Sequence, residues 1–334
     1  MVLKKIIIFG VTGNCGTYCA QAFLKKYKVY GVGRSESKIS HPNMTFIKGD
    51  IRDSNLYKNL PVDVDLVINF AGVQPSILKT SENTNLEATL NSYLDINING
   101  VFKILEFVRK NKIKNYIYAT THRDYENYWN KDTFLKNDLP PNINYDGDHV
   151  MYAITKTSSK MIGDYFGRAF DMRVFNLRLP MMFLVPNSPF YLNNGKPIIM
   201  PFLKVIKNAI HGIPLQIWGD PNLVRDYVHV ENLVSLIDLC FNSTLSGGTF
   251  NVGTGEAVTT EKFIKNIGKI FSANSDNTEY EYFPDKLTYK CAIYDISKEK
   301  KLLGYKPILL NEMLLRLKDE IEFKDCFKKW GWDQ

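Results

Sequence analysis

Two side chains that could move a proton together lie four positions apart, at Tyr152 and Lys156. On a helix this spacing puts them on the same face, one turn apart. A phenol with an ordinary pKa of about 10 is a poor base at neutral pH, and a neighbouring ammonium favours the phenolate and lowers that pKa. A tyrosine placed in this way can exchange a proton with an alcohol or a carbonyl while hydride moves. The alternative interpretation is a Tyr–Lys pair on the protein surface.

Two threonines, Thr120 and Thr121, end the predicted strand that precedes this helix. Threonine commonly ends strands, but a hydroxyl here can also donate to the oxygen that Tyr152 addresses. Taken with Tyr152 and Lys156, we favour Thr121 as the third member of a catalytic set. His122 follows directly, and it could titrate near neutrality as a further acid or base, or simply be hydrogen-bonded in a loop.

The elements that must position these residues begin with the stretch from Lys4 to Gly16. Its apolar run without alternation indicates a strand that is covered on both faces. Gly10, Gly13 and Gly16 then permit a tight turn, close approach of a phosphate and close packing of helix on strand. Because the helix that follows points free N–H groups over the turn, we predict a site for the pyrophosphate of a dinucleotide. An ordinary strand-turn-helix corner is the alternative.

Strand and helix patterns alternate along the first half of the chain, which predicts an α/β fold with a doubly wound parallel (Rossmann) sheet. After Leu179 prolines interrupt the alternation, which indicates a smaller mixed α/β C-terminal substrate lobe. We predict a dinucleotide-binding domain of residues 1–178, to which 213–255 contribute, and a lobe of residues 179–212 and 256–334. The predicted sheet strands after the first are 28–32, 44–47, 65–70, 115–119 and 173–177, and the longest predicted helices are 86–112 and 149–170.

Composition and charge exclude several classes of protein. The chain has 334 residues, is 45% hydrophobic and carries a net charge of +7 that is scattered without a basic stripe. We therefore expect a large core and no nucleic-acid partner. No apolar run is long enough to cross a bilayer, and the start has no signal-peptide core. The five cysteines are odd in number and lack metal-ligand spacing, so we expect a cytoplasmic protein without metal or disulfides.

The combination of these residues resembles the extended short-chain dehydrogenase/reductases, the NAD-dependent epimerase/dehydratase group that acts on nucleotide sugars. The resemblance covers most of the chain and continues into the second lobe at Arg225–Val230 and Phe250–Gly255. The residues that carry it in the first domain are the glycine turn, Asp50, Asn69 to Gly72, Asn97, Thr121, Tyr152 and Lys156.

The resemblance implies which residues hold the cofactor. Asp50 and Ile51 would flank the adenine, Ala71 and Gly72 would pass beneath the ribose, and Lys156 would hold the nicotinamide ribose. The implied cofactor-binding residues are Gly10, Thr12, Gly13, Asn14, Cys15, Gly16, Arg34, Ser35, Asp50, Ile51, Phe70, Ala71, Gly72, Asn97, Thr120, Tyr152 and Lys156.

The resemblance also implies a catalytic set of Thr121, Tyr152 and Lys156, to which we add His122. Arg225 would meet the nucleotide phosphates of the substrate, for which a planar guanidinium is well suited. Its alternative is a salt bridge to Asp226 or another neighbour. The predicted substrate-binding residues are Arg225, Arg123 and Asn187.

The end of the second strand bears on the choice of cofactor. An acidic residue there would bind the 2′-hydroxyl of NAD, but this chain has Gly33-Arg34-Ser35, with Lys38 close behind. Arg34 and Ser35 could hold a 2′-phosphate, so we predict a preference for NADP over NAD. An arginine can also stack on adenine without contacting that phosphate.

Three departures from the family pattern bear on the reaction. Family dehydratases have Asp-Glu after the catalytic threonine, whereas this chain has His122 and Arg123, which disfavours dehydration. Arg178–Phe183 lacks the asparagine that helps to hold the diphosphate in many relatives, so Asn187 or Asn194 could replace it. The insert at 127–148 is either a flap that faces the substrate or a surface loop.

The resemblance and these departures together predict an NAD(P)-dependent enzyme acting on a nucleotide-diphosphate sugar, with hydride transfer at hexose C4. An epimerase and a 4-keto-sugar reductase share this half-reaction, and we leave both open. The alternatives are a nucleotide-sugar 4,6-dehydratase and a non-catalytic dinucleotide-binding sensor. The two longest predicted helices, as in relatives, predict a homodimer.

Overall fold

The computed structural model describes residues 3–73, 90–129, 134–146, 149–193, 196–286 and 292–332. The start of the predicted helix 86–112, part of the insert at 127–148, and Asn194 lie outside these ranges.

The strands follow the predicted positions closely and add several short ones in the second half of the chain. They are β1 (Lys5–Phe9), β2 (Lys28–Gly33), β3 (Met44–Lys48), β4 (Leu66–Asn69), β5 (Asn115–Thr121), β6 (Arg173–Leu179), β7 (Met182–Phe183), β8 (Phe190–Asn193), β9 (Lys196–Ile199), β10 (Leu215–Trp218), β11 (Val224–Arg225), β12 (Val228–His229), β13 (Gly247–Asn251), β14 (Val258–Thr259) and β15 (Tyr280–Phe283).

The helices include one segment that winds more loosely than an α-helix. The α-helices are α1 (Asn14–Phe23), α2 (Val101–Lys110), α3 (Val150–Ala169), α4 (Pro201–Ile210), α5 (Val230–Asn242), α6 (Thr260–Phe271), α7 (Ser297–Leu303), α8 (Leu310–Phe323) and α9 (Cys326–Lys329). A π-helical segment, Tyr93–Gly100, leads directly into α2. Short 3₁₀ turns cover Leu56–Lys58, His122–Tyr128 and Ser275–Asn277.

Within the described residues, seven parallel strands form the main sheet in the order β13-β6-β5-β4-β1-β2-β3. The predicted doubly wound α/β fold is confirmed. Strand β1 pairs with β2 on one side and with β4 on the other, so the strand order reverses beside it. In sheets of this kind ligands bind at that reversal, beyond the carboxyl ends of the strands.

Both faces of the sheet are covered, which explains why its inner strands are apolar without alternation. On one face, Phe23 of α1 and Leu236 of α5 pack against β1 and β4. On the other face, Ile104 of α2 and Phe166 of α3 belong to a second core. Helix α5 and strand β13 come from the segment 213–255 that we predicted to return to the first domain.

A third core organises the second lobe. Helices α4, α6 and α8 enclose it, together with the parallel pair β10 and β15. The rings of Tyr227 and Phe263 stack at 4.0 Å between centroids, and Phe183 packs against both. Leu215 of β10 also belongs to this core, although it lies in the segment predicted to join the first domain. No helix among the described residues is long and apolar enough to span a membrane.

A buried ion pair fixes the turn that follows β5. Arg178, at the end of β6, lies 3.2 Å from the carboxylate of Asp124, and both side chains are almost fully buried. The same guanidinium donates to Asn251 Oδ1 at 2.8 Å and lies 3.7 Å from the centre of the Tyr125 ring. Such a pair is costly to break because the remaining charge would be buried alone. The 3₁₀ turn His122–Tyr128 is therefore held firmly against the sheet.

Candidate active site

The glycine turn has the geometry that its sequence predicts. Gly10 has a positive φ of +79°, and a Cβ on it would lie 2.8 Å from the backbone nitrogen of Ala71. A Cβ on Gly16 would lie 2.1 Å from the carbonyl oxygen of Gly10. Gly13 differs, because its Cβ would meet only that same oxygen, at 3.3 Å. Gly10 and Gly16 thus allow close backbone contacts within the turn, whereas Gly13 leaves open space above the turn.

Helix α1 begins directly after this turn with its first N–H groups uncapped by any side chain. Gly13 is the N-cap residue and makes no side-chain hydrogen bond, and the first turn contains no acidic residue. The amino end of a helix in this state attracts anions through its free N–H groups and its dipole.

A cavity of about 890 Å³ runs from this turn along the carboxyl ends of the strands. We refer to it as the cleft. All the predicted site residues except Asn97 and Arg225 line it. They are Gly10, Thr12, Gly13, Asn14, Cys15, Gly16, Arg34, Ser35, Asp50, Ile51, Phe70, Ala71, Gly72, Thr120, Thr121, His122, Arg123, Tyr152, Lys156 and Asn187.

Asn97 is fully buried behind the cleft wall. Its side-chain oxygen accepts a hydrogen bond from the backbone N–H of Val73 at 2.8 Å, and its amide nitrogen donates to Thr155 Oγ1 at 3.2 Å. Its own carbonyl accepts from the hydroxyl of Ser159. Asn97 therefore joins the loop after β4 to the helix that carries Tyr152.

Thr121, Tyr152 and Lys156 meet at the carboxyl end of β5, as predicted. Thr121 is buried, accepts a hydrogen bond from Arg123 N at 3.1 Å and hydrogen-bonds to Tyr152. Lys156 donates to the carbonyl oxygen of Ala119 at 2.5 Å, and its nitrogen lies 4.1 Å from the centre of the Tyr118 ring.

The electrostatics of this group differ from the prediction. Burial raises the pKa of Tyr152 above its ordinary value, and the hydrogen bond from Thr121 only partly opposes this. Burial also lowers the pKa of Lys156 to about 7. The prediction that Lys156 lowers the pKa of the phenol was wrong, because the lysine nitrogen turns to the end of β5 and is itself only partly charged at neutral pH.

His122 is hydrogen-bonded rather than free to titrate near neutrality. Its Nδ1 lies 2.8 Å from the hydroxyl oxygen of Tyr294, and its ring packs 4.8 Å from that of Trp129. Burial, followed by the positive charge of Arg123, lowers the pKa of His122 to about 3. The expectation of titration near pH 7 was wrong, whereas the alternative of a hydrogen-bonded loop histidine agrees with the structure.

The far end of the cleft contains the residues predicted to meet the adenosine half of the cofactor. Arg52 forms two hydrogen bonds to the carboxylate of Asp50, at 2.8 and 3.0 Å, which lowers the pKa of that carboxyl group. Arg34 and Ser35 are exposed beside this pair, at the end of the neighbouring strand β2. The chain thus places a guanidinium where NAD-binding folds have an acidic residue.

Arg225 lies in β11, outside the described lining of the cleft. Asp226, one of the partners considered for a salt bridge of Arg225, accepts hydrogen bonds from the N–H groups of Thr254 and Gly255 at 3.0–3.1 Å and from the Thr254 hydroxyl. Burial raises the pKa of Asp226 to about 6. The motif at Arg225–Val230 therefore anchors the Gly253–Gly255 turn.

Most of the residues that the second lobe contributes to the wall of the cleft were not predicted from the sequence. This wall is apolar, and no local spacing in the sequence marks it as a binding surface. His149 also lines the cleft, and its position three residues before Tyr152 could have been a signal. The additional lining residues on this side are His149, Leu179, Pro180, Met181, Met182, Leu184, Ser188, Phe190 and Met200. No cluster of metal-ligating side chains occurs within the described part of the chain.

The model of the NAD-dependent epimerase/dehydratase family matches residues 6–253, and the chain belongs to this family. An uncharacterized protein of Methanocaldococcus jannaschii is 26% identical over 336 residues, which cover 95% of each chain.

Two solved structures share the fold. The UDP-glucose 4-epimerase of Thermotoga maritima, determined with UDP-glucose, superposes with a TM-score of 0.76 and 22% identity over 96% of this chain and 99% of that one. The UDP-glucuronic acid 4-epimerase of Bacillus cereus, in complex with UDP-glucuronic acid and NAD, superposes with a TM-score of 0.72 and 22% sequence identity over 96% of this chain and 99% of that one.

The glycine turn yields the first prediction. Gly16→Ala places a methyl group against the Gly10 carbonyl and should lower the free energy of unfolding by about 1–3 kcal/mol, the usual cost of overpacking. Gly13→Ala is the matched control, with a smaller loss of stability but weaker dinucleotide binding, because its methyl group would occupy the space above the turn. Urea denaturation and NADPH fluorescence titration measure the two effects. An unchanged unfolding midpoint for Gly16→Ala would contradict this account of the turn.

Proposed function

We propose that the protein is an NAD(P)-dependent enzyme acting at C4 of the hexose of a nucleotide sugar, as a 4-keto-sugar reductase or an epimerase. One observation supports this proposal above the others. The proton-transfer group of Thr121, Tyr152 and Lys156 and the uncapped amino end of α1 line the same cleft. Its volume of about 890 Å³ is in the range of small-molecule and cofactor sites.

The residues of the cleft fit a nicotinamide dinucleotide. The first N–H groups of α1 would bind the pyrophosphate, with Gly13 permitting its close approach. Asp50 and Ile51 would flank the adenine, and Lys156 would bind the nicotinamide ribose. When bound, the cofactor supplies or accepts the hydride. Neighbouring structures contain NAD, but Arg34 and Ser35 support a preference of this chain for NADP.

Tyr152 would exchange the proton with the C4 oxygen of the sugar, and the Thr121 hydroxyl would hydrogen-bond to that oxygen. Burial raises the pKa of Tyr152, which favours the protonated phenol, the form that donates. Donation is the direction in which a ketone is reduced. Arg34 favours the reductase, which consumes NADPH, over the epimerase.

The remaining substrate contacts come from the opposite side of the cleft. We propose that Arg123, which bonds Glu126 at 2.9 Å, and Asn187 contact the phosphates or the sugar. A 4,6-dehydratase is disfavoured because Asp50 is the sole carboxylate among the described lining residues, and it is bonded to Arg52. A non-catalytic sensor is disfavoured because Thr121, Tyr152 and Lys156 are all present.

Removal of the Tyr152 hydroxyl tests the proposal. Tyr152→Phe should reduce kcat by about 10²–10⁴, the usual contribution of a general acid, while leaving cofactor affinity nearly unchanged. The assay uses a panel of UDP-, GDP-, CDP- and dTDP-sugars with NADPH or NAD⁺, and binding is followed by NADPH fluorescence.

Tyr165→Phe is the matched control for this experiment, since Tyr165 lies on the same helix but outside the described lining of the cleft. It should leave both kcat and cofactor affinity unchanged. Full turnover by Tyr152→Phe would refute the proposed acid–base role, and a wild-type protein inactive on every sugar of the panel would count against the enzyme assignment.

The cofactor preference depends on Arg34. Because a hydrogen bond to a charged group is worth about 1.5–3 kcal/mol, Arg34→Ala should weaken NADPH binding at least tenfold and leave NADH binding within about twofold. Lys25→Ala, which is exposed and outside the described lining of the cleft, is the control and should change neither affinity. Equal weakening of both cofactors would show that Arg34 stacks on the adenine instead.

We also propose that the protein forms a homodimer through α2 and α3. These helices and the residue after α3 expose the apolar side chains of Phe102, Met161, Tyr165 and Phe170, which are 42–60% accessible. An apolar group of this kind is typical of an interaction surface.

Met161→Glu should dissociate this dimer, because it would bury an unpaired charge at the interface. Sedimentation velocity measures the mass, and Leu302→Glu, which is exposed on α7 away from this surface, should remain dimeric. A monomeric wild-type protein would disprove the interface.

A further inference from the structure

A buried tyrosine of the second half of the chain reaches the candidate active site. The Tyr294 hydroxyl lies 2.8 Å from Nδ1 of His122, although the two residues are 172 positions apart. Tyr294 is fully buried, whereas His122 lines the cleft beside Thr121 and Arg123. With Nδ1 bonded to Tyr294, a ligand that contacts a ring nitrogen of His122 would have to meet Nε2.

The backbone around Tyr294 is fixed from two sides. Leu135 N donates to Ile293 O at 2.8 Å, and Asp295 N donates to Leu135 O at 3.0 Å, which forms a parallel bridge between Leu135 and Tyr294. Tyr294 N also donates to the buried carboxylate of Asp226, at 3.4 Å.

Gly253 packs tightly against the same tyrosine. A Cβ on Gly253 would lie 2.7 Å from the Cβ of Tyr294 and 3.0 Å from the Asp226 carboxylate. The Asp226 carboxylate and the Gly253–Gly255 turn therefore restrict the position of the Tyr294 side chain.

The protonation of the imidazole decides what this contact does. Burial and the facing charges of Arg123, His149 and Arg178 keep His122 neutral, with a pKa of about 3. A neutral imidazole has one nitrogen that donates and one that accepts. If the phenol donates its proton to Nδ1, the proton of the imidazole must be on Nε2.

We propose that Tyr294 is a positioning residue that donates to Nδ1 of His122 and fixes the histidine as the Nε2–H tautomer, a hydrogen-bond donor to an oxygen of the substrate. The proposal rests on the proposed function in assuming a sugar substrate with hydroxyl or carbonyl oxygens. It gives His122 a role other than acid or base, because a donor of this kind keeps its proton throughout the reaction. The opposite arrangement, in which Nδ1–H donates to the phenol, would leave Nε2 as an acceptor.

The tautomer can be observed directly by NMR on the full chain labelled with ¹⁵N-histidine. The chain has five histidines, and the His122→Gln variant assigns the signals of the missing one. For the wild type we expect an unprotonated Nδ1 and a protonated Nε2, unchanged between about pH 6 and 9 because the pKa is far below this range. A protonated Nδ1 in the wild type would overturn the proposal.

Tyr294→Phe removes the donor and retains the ring. In this variant we expect a mixture of the two tautomers and, with an active sugar, a decrease in kcat of about tenfold, which corresponds to one hydrogen bond. An unchanged tautomer in Tyr294→Phe would also overturn the proposal.

Tyr305→Phe is the matched control. Tyr305 is equally buried and donates to Gly253 O at 3.0 Å, next to the same turn. Its loss should reduce stability without altering the His122 tautomer or kcat. If Tyr305→Phe changed the tautomer as much as Tyr294→Phe, general loosening of the turn would be the cause and the proposal would fail.

The activity of two His122 variants provides a second measurement. Glutamine retains an N–H donor near the position of Nε2 and leucine does not, so His122→Gln should retain at least tenfold more activity than His122→Leu. Equal activities would contradict the donor role. The tautomer measurement requires no substrate. An inactive wild-type protein would therefore refute the proposed function and the donor role toward a sugar, whereas the effect of Tyr294 on the His122 tautomer would still be tested.

Discussion

The buried side-chain amide of Asn97 holds the two halves of the cleft together. Its oxygen accepts a hydrogen bond from the backbone N–H of Val73, in the loop after β4. Its nitrogen donates to the hydroxyl oxygen of Thr155, one position before Lys156. Because an unsatisfied polar group at this depth would cost about 1–3 kcal/mol, these bonds are effectively obligatory. The π-helical winding of Tyr93–Gly100 carries Asn97 into this position, in keeping with the frequent occurrence of such segments at functional sites.

In the second half of the chain, a buried carboxylate likewise joins separate segments through hydrogen bonds. Asp226 gathers the N–H groups of Thr254, Gly255 and Tyr294 around one buried side chain. Through Tyr294 this cluster is joined to His122, at the end of the strand that carries Thr121. The group of Thr121, Tyr152 and Lys156 is thus supported by both halves of the chain, and the position of Tyr152 depends on Asn97 as well as on its own helix.

The parts of the structure that follow from local pattern could be predicted from the sequence. The unbroken apolar run before Gly10 indicated a strand covered on both faces, and the helical spacing of Tyr152 and Lys156 placed both in the cleft. The pKa of Tyr152 could not be predicted, since it depends on burial and on the direction in which the lysine nitrogen turns. Tyr294 could not be found either, because only the folded chain brings it to His122. The apolar wall at Met181 and Met200 similarly has no signature beyond ordinary core residues.

The central claim is that hydride moves between a nicotinamide bound at the glycine turn and carbon 4 of a nucleotide sugar beside Tyr152. Isotope transfer in a single turnover tests it most directly. In the first case the protein would be loaded with NADPH deuterated at the nicotinamide C4 and mixed with 4-keto sugars. In the second case it would be loaded with NAD⁺ and mixed with C4-deuterated UDP-hexoses. Mass spectrometry would then locate the label. The account predicts deuterium at sugar C4 in the first case. In the second case it predicts deuterium on the nicotinamide, together with a 4-keto sugar, when the reaction is quenched early, and return of that deuterium to C4 when an epimerase completes the turnover. Unlabelled product from deuterated NADPH, loss of the C4 deuterium to solvent, or label on another sugar carbon would contradict it.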